Sequence, residues 1–229
     1  MVIKGLQKTT LLDFPTKVAC TVFTGGCNFR CPFCHNGTLV SDPKQFPTIE
    51  IPDFLSFLDK RKGILDGVCI TGGEPLLNKD IDSLLREIKA RGYAVKLDTN
   101  GSFPDLLESL IDEGLVDYVA MDIKSSREKY HLLTGIDKFN VEIAKSVELL
   151  LRGKVDYEFR TTVVRELHEL SDFEDIGKWI SGAKKYYLQL FKDSGDLIEG
   201  GFSAYSESDM LAALDIVKKY VSTAEIRGM

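Results

Sequence analysis

No apolar run in the chain comes near the ~20 residues that a membrane-spanning helix requires, which excludes a membrane-embedded function. Nor is there a block of lysines and arginines. Charges of both signs are spread along a sequence of formal net charge −6, which argues against a nucleic-acid partner, because such binding rests on cationic side chains neutralising phosphates. Asparagine and glutamine are scarce, eight in 229 residues, while charged residues reach 28%; this composition leans toward that of heat-resistant proteins. The opening Met-Val-Ile-Lys-Gly-Leu-Gln-Lys lacks the apolar core of a secretory leader, so a cytoplasmic location is expected. Five cysteines in such a chain do not read as a disulfide framework and point instead to metal or redox chemistry. Two of them, Cys20 and Cys69, lie inside apolar strand-like runs and read as small buried hydrophobes.

What the chain does have is a repeated alternation. Short apolar runs at 18–24, 67–71, 94–99, 118–123, 157–164 and 186–191 read as strands, several of them covered on both faces. Amphipathic helices separate them. Ile81, Leu84, Leu85 and Ile88 form one apolar stripe and Ile143, Val147, Leu150 and Leu151 another. Met210, Leu214, Val217 and Val221 form a third, and Phe54, Phe57 and Leu58 begin a fourth. Strand followed by helix, about six times over, predicts parallel α/β architecture with right-handed crossovers. With 44% hydrophobic residues and no composition shift, residues 1–229 read as one domain. Its core is expected over about 10–191, with a C-terminal helix and tail over about 205–229.

The polar clusters decide between an open doubly wound sheet and a partial barrel. Cys27, Cys31 and Cys34 follow the first strand, and Thr71-Gly72-Gly73-Glu74-Pro75 closes the second. Asp98-Thr99-Asn100-Gly101 ends the third and Asp122-Ile123-Lys124 the fourth; Arg160 lies within the fifth, and Gln189 and Lys192 flank the end of the sixth. An open sheet gathers its ligand residues at one switch point, whereas a barrel distributes them around the C-terminal rim of its strands. Contributions from successive strands favour the partial barrel.

The spacing Cys27-x3-Cys31-x2-Cys34 provides three thiolates where zinc and ordinary iron–sulfur sites have four protein ligands. Three thiolates on a four-iron cluster leave one iron open for chemistry. The alternative is a structural zinc site completed by His35, although a residue adjacent to Cys34 in a tight loop is awkwardly placed to share its metal. A cubane accepts three close thiolates more easily, at separate irons. Asn28, Arg30 and Phe33 are placed to tune such a cluster. Paired glycines at 72 and 73 let the backbone approach a ligand closely, and the Glu74 carboxylate or a backbone acceptor beside them would attract an ammonium group. Asp98 and Asp122, on neighbouring rim positions, repel unless a cation lies between them. Arg160 within a strand is expensive to bury alone.

In these residues the chain resembles the radical S-adenosylmethionine (SAM) superfamily, over about residues 10–191. Within it, Leu11-Leu12-Asp13-Phe14-Pro15, the Cys-Pro-Phe-Cys-His-Asn run and the compact length are similar to glycyl-radical-enzyme activases, most of all the activating proteins of anaerobic ribonucleoside-triphosphate reductases. The resemblance implies a partial (β/α)6 barrel with a 4Fe–4S cluster on Cys27, Cys31 and Cys34 and SAM chelating the fourth iron. It implies cleavage of SAM to methionine and a 5′-deoxyadenosyl radical, which takes an α-hydrogen from a glycine of a partner glycyl radical enzyme. Without extra cysteine pairs, the chain would draw electrons from a flavodoxin or ferredoxin.

By the same resemblance Phe33, His35, Gly72, Gly73, Glu74, Asp98, Thr99, Asn100, Asp122, Lys124 and Arg160 are the cofactor-binding candidates. Lys124 would pair with the SAM carboxylate, Arg160 would face the interior toward that carboxylate or the ribose, and Asp98, Thr99 and Asp122 would hold a monovalent cation. His131, which follows Asp122-Ile123-Lys124 as in the activases, has helical spacing and reads as structural. One departure stands out: pyruvate-formate-lyase-type activases carry a histidine after the sixth strand, where this chain has Leu190-Phe191-Lys192, so the nucleoside contact is left unassigned. The competing readings are an activase of a pyruvate formate-lyase-like enzyme, a radical SAM enzyme acting on a small molecule, and a zinc or redox module.

Overall fold

The structure, a computed structural model, describes residues 2–135 and 140–229. Its strands form one eight-stranded sheet in sequential order: β1 (Ile3–Thr10), β2 (Ala19–Thr24), β3 (Gly67–Gly72), β4 (Ala94–Thr99), β5 (Tyr118–Asp122), β6 (Asp156–Val163), β7 (Lys185–Leu190) and β8 (Thr223–Arg227). β1 is antiparallel to β2, and every later pair of neighbours is parallel. Parallel neighbours need crossovers, which helices provide. After β2 come α1 (Gly37–Ser41) and α2 (Ile51–Asp59), after β3 comes α3 (Ile81–Ala90), and after β4 comes α4 (Pro104–Asp112). α5 (Tyr130–Thr134) and α6 (Asn140–Leu151) follow β5, α7 (Leu170–Trp179) follows β6, and α8 (Glu207–Val217) follows β7. A strand order that never reverses has no switch point, and this is the partial barrel the polar clusters implied.

The structure adds two strands to the six read from the sequence. β1 is an edge strand buried only at Ile3 and Thr10, and its polar middle hides its strand character. β8, in the stretch expected to be helix and tail, buries only Ala224.

The period of two along each strand separates two faces. The outer face is apolar: Val68, Ile70, Val95, Leu97, Val119 and Met121 are all fully buried in one continuous core with the helices. The expected stripes lie in that core, through Ile81, Leu84, Leu85 and Ile88, then Ile143, Val147 and Leu150, then Met210, Leu214 and Val217. Each such side chain contributes about 1.5–3 kcal/mol through removal from water. Helix starts are set locally. Pro104 opens α4, Glu169 and Asp172 form a reciprocal capping box on α7, and the Ser206 hydroxyl accepts from Asp209 N at the start of α8.

The inner face is different. At its N-terminal end Phe14 packs on Ala19, Ala94 and Tyr118, the first residues of their strands, and plugs the interior there. Above this plug the inward positions turn polar, with Thr21, Lys96 and Glu158 buried. No helix among the described residues is long and apolar enough to cross a membrane.

Candidate active site

The cysteines lie on the connection from β2 to α1, which is fastened from several sides. Gly26 N donates to Leu39 O at 3.0 Å, and Glu74 N donates to Gly26 O at 2.9 Å. Arg30 folds back on the loop, donating to Cys27 O at 2.6 Å and Phe29 O at 2.8 Å, while its own amide reaches Thr134 O of α5 at 2.8 Å. On the far side Glu199 N donates to Pro32 O at 2.8 Å. The His35 ring stacks on Phe191 at 5.4 Å, and its Nε2 lies 2.7 Å from Lys192 O. That bond occupies Nε2 with a carbonyl oxygen. Lys192 offers only its carbonyl to this corner, and the cysteine loop itself brings an imidazole there.

All three cysteines border one cavity of about 480 Å³ on the C-terminal rim. Burial, aggravated by the nearby Glu74, pushes the Cys27 thiol up to about 11, and burial pushes Cys31 up to about 12. At neutral pH both therefore carry protons until a metal displaces them. Among the described residues no three His, Cys, Asp or Glu side chains converge to hold a single metal ion. A cluster binding each thiolate at a different iron does not require such convergence, and soft thiolate donors suit iron–sulfur chemistry.

The glycine pair is a steric requirement. Gly72 has φ +120°, and a Cβ on Gly73 would lie 1.8 Å from Gly26 O. Glu74, by contrast, leaves the cavity. It is fully buried, with Oε1 accepting from Leu76 N at 3.0 Å and Thr99 Oγ1 at 2.9 Å, and Oε2 accepting from Asn100 N at 2.7 Å. The expectation that this carboxylate attracts a ligand's ammonium group is corrected: it ties the glycine pair to the turn after β4. Burial raises its carboxyl to about 7, against the pull of its three donors.

Across the rim runs an ion-pair chain. Lys96 Nζ bonds Asp98 Oδ1, and Asp98 Oδ2 accepts from Arg160 Nη1 at 3.0 Å. Arg160 Nε donates to Asp122 Oδ1 at 3.0 Å, and Lys124 Nζ donates to Asp122 Oδ2 at 2.9 Å. The cation that the two aspartates require is thus a side chain, Arg160, and Thr99 gives its hydroxyl to Glu74. Burial opposes ionisation of both aspartates, yet Arg160 with Lys124 pulls Asp122 down to about 2, and Arg160 with Lys96 holds Asp98 below its usual value. Burial likewise opposes the charge on Lys124, but Asp122 outweighs it and holds the ammonium above its ordinary range. The cavity wall itself carries Lys124 and Arg160 beside Asp13, Asp98 and Asp122, with Lys96 buried behind it, so both of its cations face the cavity already paired.

Every expected site residue except Glu74 borders the same cavity: Cys27, Cys31, Phe33, Cys34 and His35 from the loop, and Gly72, Gly73, Asp98, Thr99, Asn100, Asp122, Lys124 and Arg160 from the strand ends. His131 does not; it is exposed on α5. Cys69 needs correction. It is buried but faces the cavity, its Sγ 3.7 Å from Asp98 Oδ1 and 3.8 Å from Lys96 Nζ, whereas Cys20 lies in the apolar core as expected. Lys96 was missed, although its position two residues before Asp98 puts both on one face of β4. His168 was missed too. Nearly fully buried, it accepts from Val164 N at 3.1 Å through Nδ1, so Nε2 carries the proton and donates to Lys124 O at 2.9 Å. Burial holds this imidazole below its ordinary value, in the neutral form that the two bonds require. No local motif marks it.

These features define a class: a parallel half-barrel enzyme with three thiolates and a fixed set of charges around one cavity on its C-terminal rim. The chain belongs to the radical SAM superfamily, whose family model matches residues 21–180. Over 233 aligned positions it is 33% identical to a Methanocaldococcus jannaschii protein named "Putative glycyl-radical enzyme activating enzyme", covering 98% of this chain and 95% of the relative. Streptococcus suis SuiB matches in structure with TM-score 0.72 at 14% identity over 92% of this chain, which spans about half (49%) of SuiB. A domain of pyruvate-formate lyase-activating enzyme from Bacteroides vulgatus ATCC 8482 matches with TM-score 0.59 at 17% identity, covering 71% of this chain and 99% of the domain. At these identities the two structures speak for the fold. Superfamily membership implies a 4Fe–4S cluster and SAM.

Proposed function

We propose that this chain is a glycyl-radical-enzyme activase and that its partner is an anaerobic ribonucleoside-triphosphate reductase. The observation that carries the reading is 33% identity over 98% of the chain with a protein named "Putative glycyl-radical enzyme activating enzyme", joined to three thiolates on one cavity. The Leu11-to-Pro15 run and the Cys-Pro-Phe-Cys-His-Asn run favour the reductase as partner. Cys27, Cys31 and Cys34 would hold the cluster. When bound, the cluster and SAM would supply one-electron reductive cleavage of the C5′–S bond and, with it, the radical chemistry needed to remove an α-hydrogen from a glycine.

The chain's own residues bind and orient. Lys124 and Arg160 are the cations available to the SAM carboxylate. Gly72 and Gly73 border the cavity and let the end of β3 pack against β2 and the start of the cysteine loop, and Phe33 and His35 border the cavity from the loop side. A ligand carboxylate that draws Lys124 or Arg160 away leaves Asp98 and Asp122 short of charge, and a monovalent cation at Asp98, Thr99 and Asp122 would then restore the balance. Electrons would come from a flavodoxin or ferredoxin in the cytoplasm.

The test is anaerobic reconstitution with iron and sulfide, followed by SAM, a reductant and the candidate reductase, with electron paramagnetic resonance as the readout. A glycyl radical on the partner is expected. SAM cleavage with no radical on any glycyl radical enzyme encoded beside this chain would sink the activase assignment.

A further inference from the structure

A closed ring of three side chains stands against the first cysteine. Asn100 Nδ2 donates to Asn28 Oδ1 at 2.9 Å, Asn28 Nδ2 donates to Ser102 Oγ at 2.9 Å, and Ser102 Oγ donates to Asn100 Oδ1 at 2.6 Å. The Asn100 amide has a second hydrogen, and its Nδ2 lies 3.7 Å from Cys27 Sγ, within hydrogen-bond range of sulfur.

The orientation of that amide is fixed. Its Oδ1 also accepts from the main-chain N–H of Ser102 at 3.0 Å, a group that can only donate, so the oxygen belongs there and the NH₂ on the sulfur side. The turn itself is gripped from two directions. Glu74 takes the Asn100 main-chain N–H at 2.7 Å, and Ser146 of α6 donates to Gly101 O at 2.7 Å. Asn100 and Ser102 are largely buried, which strengthens the bonds that hold the turn. Cys27 Sγ also receives Phe29 N at 3.3 Å, whereas among the described residues no donor meets the sulfur of Cys31 or Cys34.

We propose that Asn100 is a positioning residue that sets the reduction potential of the cluster through an N–H···S bond to Cys27. The proposal rests on the reading that Cys27 is a cluster ligand, and it gives Asn100 a role other than the SAM contact expected from the sequence. A donor on a ligand sulfur stabilises the reduced, more negative state and so raises the potential. The ring with Asn28 and Ser102 keeps that donor from rotating away.

The test is a redox titration of the anaerobically reconstituted full chain. Asn100→Ala should retain the wild-type iron and sulfide content and shift the midpoint potential to more negative values. Asn100→Asp, which keeps the shape and the acceptor for Ser102 but sets an oxygen against the sulfur, should shift it further. Ser102→Ala should shift it least, because the Ser102 main-chain donor remains. Loaded Asn100 variants with the wild-type potential would overturn the proposal. If neither variant loads, pulsed electron paramagnetic resonance on Asn28→Asp protein labelled with ¹⁵N-asparagine, which lacks the Asn28 side-chain nitrogen but keeps its acceptor oxygen, decides: side-chain nitrogen coupling to the reduced cluster supports the proposal, and its absence overturns it. A wild-type chain that takes up no iron–sulfur cluster defeats the functional reading itself, whereas a loaded cluster indifferent to Asn100 defeats this proposal alone.

Discussion

Asp122 and Arg160 are register partners on β5 and β6, and Arg160 Nε meets Asp122 Oδ1 at 3.0 Å. The other arm of the same guanidinium reaches Asp98 Oδ2 at 3.0 Å, so one side chain serves carboxylates on two strands. A planar fork can do this and a lysine ammonium cannot. Arg160→Met would leave two largely buried carboxylates without the charge between them, and should cost about 3–5 kcal/mol of stability. Arg160→Lys should recover only part of it. Urea unfolding of the cluster-free protein reads this directly; an unchanged midpoint in Arg160→Met would show that the pair contributes nothing.

The same pair predicts an acid limb. The Asp122 carboxyl lies at about 2 in the folded chain, below its ordinary value, because Arg160 and Lys124 outweigh its burial. A depressed folded value means that its stabilisation is present above the unfolded value and is lost as pH falls through the window from about 4 to about 2. Asp122 alone should contribute about 2 kcal/mol to that loss, and Asp98 adds in the same direction. Urea midpoints measured from pH 6 downward should fall in this window, and Asp122→Asn should flatten the curve.

How far the sequence could be read depended on whether a signal was local. The six central strands announce themselves because strands covered on both faces are continuous apolar runs, and the polar residues that interrupt those runs at their C-terminal ends locate the rim. Edge strands carry no such mark: β1 and β8 bury little and read as polar segments. Residues that act through the third dimension were hidden for a related reason. His168 reaches the backbone of Lys124 across 44 positions, and nothing beside it in the chain suggests a partner. Glu74 was misread because its motif points to a ligand, while its carboxylate satisfies three donors of the protein's own. Lys96 and Cys69 were legible in principle, since counting by two from Asp98 along β4 reaches Lys96, whose register partner on β3 is Cys69.

Cysteine replacements separate ligands from bystanders. Cys27→Ala, Cys31→Ala and Cys34→Ala should each lose the cluster and all SAM cleavage. Cys20→Ala should keep the cluster at a packing cost of about 1 kcal/mol. Cys69→Ala should also keep it, and because its sulfur touches Asp98 and Lys96 the change should register in SAM affinity. Iron and acid-labile sulfide per chain are the measurements. Loss of iron in Cys69→Ala would show that the ligand set has been misassigned.

The glycine pair gives the sharpest steric prediction. A Cβ on Gly73 would stand 1.8 Å from Gly26 O, main chain that cannot swing aside as a flexible side chain can. Gly26 precedes Cys27, and its carbonyl accepts Glu74 N at 2.9 Å, so Gly73→Ala must displace the start of the cysteine loop and break the bond that pins it. Gly72→Ala fails differently: φ is +120°, and its Cβ would meet Thr24 N at 2.3 Å, which forces β2 and β3 apart at their ends. Gly92 is the control. It also has a positive φ, +86°, but a Cβ there meets nothing within 4 Å, so Gly92→Ala should cost only the ~1–2 kcal/mol of a left-handed backbone. Thermal unfolding and iron uptake should therefore place Gly92→Ala near the wild type with a full cluster. Gly73→Ala should lose the cluster even where the chain still folds, because its damage is centred on the residue next to a ligand.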